Sequence, residues 1–198
     1  MRASCDLNAD LGESYGAWRM GDDAALLDIV SSCNVACGFH AGDPSTILNT
    51  IDLALARNVA IGAHPSLPDL VGFGRREMQI APLELRAAVR YQVAALQGCV
   101  RAAGGRLAHV KAHGALYGML ARDAALARAF LDAVQPLDDR LTIVGPPQGE
   151  LREAARVGGF RYCVEGFADR GYCADGSLVP RSQAGALLHG EAAARQGL

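Results

Sequence analysis

The sequence predicts an α/β fold of repeated βα units around a mostly parallel sheet. Short β-branched runs alternate with longer Ala/Leu/Arg segments at helical spacing. Several helical segments carry start or stop signals at their ends. With 198 residues, 51% hydrophobic and 20% charged, the chain suits one compact domain of the α/β or β/α-barrel kind, and its composition is neither disordered nor fibrous.

Six strands are expected, at 2–8, 32–37, 59–63, 107–111, 141–145 and 160–165. Helices are expected at 22–30, 44–57, 82–103, 123–134, 148–157 and 183–195. Asp43 before Pro44 places an N-cap carboxylate ahead of a first-turn proline, and Pro82 with Glu84 repeats the first-turn signature. Gly104 and Gly105 supply a left-handed stop after the third helix. The segment 65–78 (PSLPDLVGFGRREM) is too rich in Pro and Gly for a helix or core strand and is long for a βα loop, so it reads as a functional loop. There is no long linker, low-complexity block or internal repeat beyond the βα rhythm, which makes 1–198 a single β/α domain.

Charge and cysteine content narrow the function. Against 21 acidic residues stand 19 basic ones, giving a net charge of -2, so no basic excess is available to neutralise a nucleic-acid backbone. No run of 18 apolar residues occurs, and the N-terminus lacks the apolar core of a secretory signal. A soluble, cytoplasmic protein is expected, with no membrane or nucleic-acid partner. Six cysteines without a CxxC pair read as reduced thiols, mostly inside apolar runs. Cys37 is kept apart because it borders the motif GFHAGDP (38–44).

The unusual polar residues collect at one place in the pattern. Strand one leads into Asp6, Asn8, Asp10 and Glu13; strand two into Asn34, His40 and Asp43; strand three into His64 and Asp69. Strand four leads into Lys111 and His113, and strand six into Glu165, Asp169 and Arg170. In parallel β/α architectures the loops at the C-terminal strand edge converge and build the active site. Any one histidine there is more often a hydrogen-bonded structural residue. Several at one edge point to chemistry. His109 reads as the packed exception, and His189 as a surface residue.

Lys111 is the only lysine, the other 18 basic residues all being Arg. An ammonium is a compact charge that burial can deprotonate, whereas guanidinium stays charged and planar. Beside His113, Lys111 suits the polarisation of a carbonyl or the orientation of a carboxylate. The GFHAGDP segment ends at a helix N-terminus that favours an anion, with Asp43 itself as the simpler occupant. No phosphate loop, dinucleotide fingerprint, nucleophile elbow or HExxH helix is present. Asp10, His40, His64 and His113 are of the type that binds a divalent metal, but their wide separation gives no local spacing signal, so none is assigned as a ligand.

Five ordered motifs together carry a resemblance: DLNADLGE (6–13), NVACGFHAGDP (34–44), IGAHPSLPDLVGFGRREM (61–78), HVKAHGALY (109–117) and EGFADRGYCADGSLVPR (165–181). They closely resemble the LamB/YcsF family, from the first strand to about residue 185. The resemblance implies a distorted β/α barrel of the glycoside hydrolase/deacetylase type. It also implies ATP-dependent opening of the lactam 5-oxo-L-proline to L-glutamate, with 5-oxoprolinase subunits B and C as partners and ATP used through the assembled complex. Applied to these residues, it makes Asp10, His40, His64, Lys111 and His113 the catalytic group. In that group either Asp10 or His64 is the base for water, His113 protonates the leaving nitrogen and Lys111 stabilises the oxyanion or phosphate. Asn8, Asn34, Asp69, Arg75, Glu165, Asp169 and Arg170 become the substrate-binding set, with Arg75 or Arg170 on the substrate carboxylate. Family chains continue into a further βα segment bearing Val-His-Gly-Asp, which is not found before Leu198, so a barrel short of that unit is expected. Two rival readings are a metal-dependent, deacetylase-like hydrolase of an amide or carbohydrate and a non-catalytic substrate-binding subunit.

Overall fold

The structure is a computed structural model that describes residues 5–138 and 140–197. The chain packs as two units, one ending at Val164 and one beginning at Glu165. The first holds six parallel strands: β1 (Asn8–Leu11), β2 (Ser32–Ala36), β3 (Ala60–His64), β4 (Leu107–Lys111), β5 (Thr142–Gly145) and β6 (Arg161–Val164). They pair in strict sequential order from β1 to β6. Right-handed crossovers in such a sheet put every connecting helix on the same face, which is the winding of a β/α barrel. The predicted α/β, barrel-type fold is therefore the observed one.

The helices are α1 (Asp23–Leu27), α2 (Pro44–Ala56), α3 (Pro82–Ala102), α4 (Gly114–Arg122), α5 (Ala124–Val134) and α6 (Glu150–Val157). The Asp43 carboxylate accepts from the amides of Ser45 at 2.9 Å and Thr46 at 3.1 Å, so it occupies the α2 N-terminus itself. α3 buries Leu85, Val89, Val93, Leu96 and Val100, an apolar stripe at helical spacing, and beside it Gln92, whose side-chain amide bonds the Ser66 backbone. This stripe meets Cys33, Val35, Ile61, Ala63, Val110 and Ile143 of the strands, and Phe130 and Leu131 of α5, in one core. No described helix is long and apolar enough to cross a membrane.

Side chains alternate across a strand, so the opposite face of the sheet carries the intervening residues. The parallel register sets Asn8 beside Ser32, then Asp10 beside Asn34 and Gly62, then Ala36 beside His64. A β-bulge completes the pattern on β4. Leu107 pairs with Ile61 and His109 with Gly62, leaving Ala108 as the extra residue. The bulge lets Leu107 face the helices while His109 and Lys111 face inward.

Three expectations need correction. β1 begins at Asn8, where the expected strand ended; residues 5–7 are not strand, and 2–4 lie outside the described residues. Its inward Asn8 and Asp10 are polar because they bond across to β2, so the strand lacks the apolar run that marks the others. α4 was not anticipated in its Gly-containing sequence, and the last helix, α7, spans Gly190–Gly197 instead of 183–195. In the second unit, α7 follows a loop-rich segment with bridges Arg170 to Leu187 and Tyr172 to Leu178. There the Arg170 guanidinium donates to the carbonyls of Ala186 at 3.0 Å and Val179 at 2.8 Å.

Gly62 makes room for the inward face. His109 reaches over β3 from β4 to Asn34 on β2, its Nε2 lying 2.7 Å from Asn34 Oδ1. A Cβ on Gly62 would stand 2.1 Å from that same Nε2. Gly62→Ala is therefore expected to cost roughly 1–3 kcal/mol by overpacking. Urea denaturation measures it, and adding His109→Ala should recover part of the loss, because the two changes are coupled through one contact.

Candidate active site

At the C-terminal edge of the strands the inward side chains converge. Asp10 on β1 is the hub. Its Oδ1 accepts from Asn34 Nδ2 at 2.8 Å and lies 3.1 Å from Lys111 Nζ, and its Oδ2 lies 3.3 Å from His64 Nε2. Lys111 and His64 are both nearly fully buried, whereas the Asp10 side chain is 36% exposed and opens the group to solvent. Asn34 also bonds Asn8 and His109, so β1, β2 and β4 are tied beneath Asp10.

The two remaining histidines come from loops. His113, at the N-terminus of α4, has Nδ1 at 3.0 Å from His64 Nε2 and Nε2 at 2.9 Å from the Phe73 carbonyl. His40 stacks on it, ring centroids 3.7 Å apart and planes within 6°. His40 Nε2 lies 3.2 Å from Glu13 Oε1, and that oxygen is 3.5 Å from His113 Nδ1. Glu13 follows the positive-φ turn at Gly12, just past the end of β1.

Charge and burial set the protonation preferences. Burial alone would raise Asp10, but the charges of His64 and Lys111 outweigh it and hold the carboxyl well below its usual range. Burial opposes a charged His64, yet Asp10 beside it raises that imidazole above its ordinary value. Burial pushes His40 and His113 each down to about 2, reinforced by the positive charge of His64. Desolvation raises Glu13, only partly offset by His64 and His113. His109 is pushed down to about 4, chiefly by burial, and serves as a neutral hydrogen-bonding residue.

The segment 65–78 forms one wall. Asp69, only 3% exposed, accepts from the Gly72 amide at 3.0 Å and from Arg76 Nε at 3.0 Å, bracing the loop internally. Phe73 adopts φ 54°, rare for a residue with a side chain, and its carbonyl meets His113. Gly114 has φ 58°, and a Cβ there would sit 2.4 Å from the Gly74 carbonyl oxygen, so only glycine allows this loop to dock against the start of α4. Arg75 lies over the Phe73 ring, 4.8 Å from its centroid, and Phe73 in turn meets His40 and His113 edge-on.

Asp10, His40, His64, Lys111 and His113 thus share one cluster, with Asn8 and Asn34 supporting it from below. Arg75 stands on its Phe73 wall. Asp69 is engaged within its own loop, while Glu165, Asp169 and Arg170 belong to the second unit. His109, read from sequence as a packed exception, bonds to the Asn34 that supports Asp10. Glu13 had no role assigned to it, although its place beyond the polar end of β1 was the available cue. Cys37 is buried: burial pushes its thiol up to about 12, and its Sγ faces the Val35 carbonyl. None of the six cysteines is paired in a disulfide.

Asp10, Glu13, His64 and His113 each offer a donor atom, all within 4.8 Å of one another. Two imidazoles and two carboxylates are a donor set that first-row divalent cations accept. The residues present therefore fit a metal.

Comparison with known proteins agrees with this architecture. The LamB/YcsF family model matches residues 5–197. The 5-oxoprolinase A component of Bordetella pertussis is 58% identical over 188 residues, covering 95% of this chain and 75% of that one. The protein of the same name from Methylococcus capsulatus is 56% identical over 188 residues, covering 95% of this chain and 72% of its own. The crystal structure of a lactam utilization protein from Thermus thermophilus superposes with a TM-score of 0.93 at 49% identity, covering 98% of this chain and 78% of the other. The chain belongs to the LamB/YcsF family.

Proposed function

We propose that the chain is the A component of an ATP-dependent 5-oxoprolinase, opening the lactam of 5-oxo-L-proline to L-glutamate in complex with subunits B and C. The observation that carries the reading is the buried Lys111 ammonium, held 3.1 Å from Asp10 at the mouth of a histidine and carboxylate cluster. The names of close relatives point the same way. A five-membered lactam is a stabilised amide and needs activation, which phosphorylation of the amide oxygen by ATP supplies. Water then adds to the former carbonyl carbon, the ring nitrogen departs with a proton to leave a γ-glutamyl phosphate, and a second water cleaves this acyl phosphate to L-glutamate and inorganic phosphate.

Within this chain, Lys111 stabilises negative charge on the activated oxygen. Asp10, ionised and partly open to solvent, accepts the proton of the attacking water. Glu13, whose raised pKa favours its acid form, supplies the proton to the ring nitrogen. This moves the donor role away from His113. Its Nε2 hydrogen is committed to the Phe73 carbonyl, and burial disfavours its charged form. His64 and His40 hold the two carboxylates in place, and Arg75 on the exposed side of the Phe73 wall pairs with the substrate carboxylate. A divalent ion held by the cluster would polarise the substrate oxygen or lower the pKa of water. Water rather than the buried Cys37 thiol is assigned as the nucleophile.

ATP-dependent glutamate release from 5-oxoproline, by this chain with subunits B and C against B and C alone, tests the reading. No added turnover from this chain would defeat it. In the active assembly, Lys111→Met is expected to lower kcat by on the order of 100-fold or more, as loss of one oxyanion partner does. Lys111→Arg should not restore the rate, since guanidinium is broader than the ammonium it replaces. Cys37→Ala should keep kcat within about threefold, and a complete loss with the fold intact would revive a thiol mechanism.

A further inference from the structure

The histidine pair at the centre of the site poses a problem of hydrogens. His64 Nδ1 lies 2.8 Å from the Lys111 carbonyl oxygen, and His113 Nε2 lies 2.9 Å from that of Phe73. A carbonyl can only accept, so both of these outer nitrogens carry hydrogen. His64 Nε2 and His113 Nδ1 then face each other 3.0 Å apart, with room for at most one hydrogen between them. Asp10 Oδ2 at 3.3 Å and Glu13 Oε1 at 3.5 Å add two further acceptors to the same point. One proton can bridge only one of these contacts. A divalent cation satisfies all four donors at once.

We infer that Asp10, Glu13, His64 and His113 form a binding site for one first-row divalent cation, with Zn²⁺ as the ion that suits two nitrogens and two oxygens. Ligands at about 2.0–2.1 Å in a tetrahedron stand about 3.4 Å apart. Three of the six separations, 3.0, 3.3 and 3.5 Å, lie around that value, and all six are within 4.8 Å. The outer contacts are those that fix metal-binding side chains. Each imidazole gives its distal N–H to a backbone carbonyl, Asn34 and Lys111 hold the other oxygen of Asp10, and His40 holds Glu13. Each carboxylate coordinates through one oxygen. The inference concerns binding alone and stands apart from the lactam reading.

The test is titration of the chelator-treated full chain with Zn²⁺ by calorimetry and with Co²⁺ by visible absorption, in a Cys5→Ser/Cys163→Ser/Cys173→Ser background that removes the exposed thiols. One ion per chain is expected, with a Co²⁺ spectrum of nitrogen and oxygen ligation and a raised Tm. Glu13→Gln and His113→Gln should each weaken binding by on the order of 100-fold, and Asn34→Ala, one step removed, by about 10-fold or more. A folded chain that takes up neither ion would overturn the inference. So would stoichiometric binding unchanged in Glu13→Gln and His113→Gln. If those variants fail to fold, the parent spectrum decides: thiolate charge-transfer bands would place the ion elsewhere.

Discussion

The site depends on where two imidazole hydrogens point. His64 and His113 each commit an outer N–H to a backbone carbonyl, and this turns the other nitrogen of each ring inward, 3.0 Å from its neighbour. Everything around the pair answers that arrangement. Asp10 and Glu13 bring carboxyl oxygens to the same point, and Lys111 and Asn34 keep Asp10 ionised and oriented. His40, stacked flat on His113, positions Glu13 and is itself neutral. Substituting one member would leave buried partners unsatisfied, which costs more than the contact alone contributes.

The scaffold delivers these side chains through backbone features of low tolerance. The bulge on β4 turns Lys111 and His109 inward while leaving Leu107 in the core. Gly62 clears the path from His109 to Asn34, and Gly114 allows the loop at 65–78 to approach α4 closely enough for Phe73 to meet His113. Local strain at Phe73 is offset by the contacts its ring makes with His40, His113 and Arg75. A sheet with a hydrophobic outer face and a polar inner face is thereby able to hold a charged group without losing its core.

Much of this was legible in the sequence because it follows from periodicity. The alternation of strands and helices predicted the α/β class, and polar residues at strand ends marked Asp10, His64, Lys111 and His113. What escaped notice required pairing information. β1 lacks an apolar run, so the strand expected at 2–8 ends where β1 begins, and only the register with β2 places Asp10 within it. The role of His109 depended on a bulge that shifts alternation by one residue. Glu13 stands three residues beyond Asp10, and only the turn at Gly12 brings it back toward His113. The opposed tautomers were beyond reach, since they depend on two carbonyls distant in sequence.

The most direct test of this account is the tautomeric state of the two rings, read by long-range proton–nitrogen NMR of the imidazoles in the metal-free chain. The structure predicts hydrogen on Nδ1 of His64 and on Nε2 of His113, with Nδ1 of His113 a bare acceptor. Hydrogen on Nδ1 of His113, with Nε2 bare, would contradict it and remove the basis for convergent donors at this site.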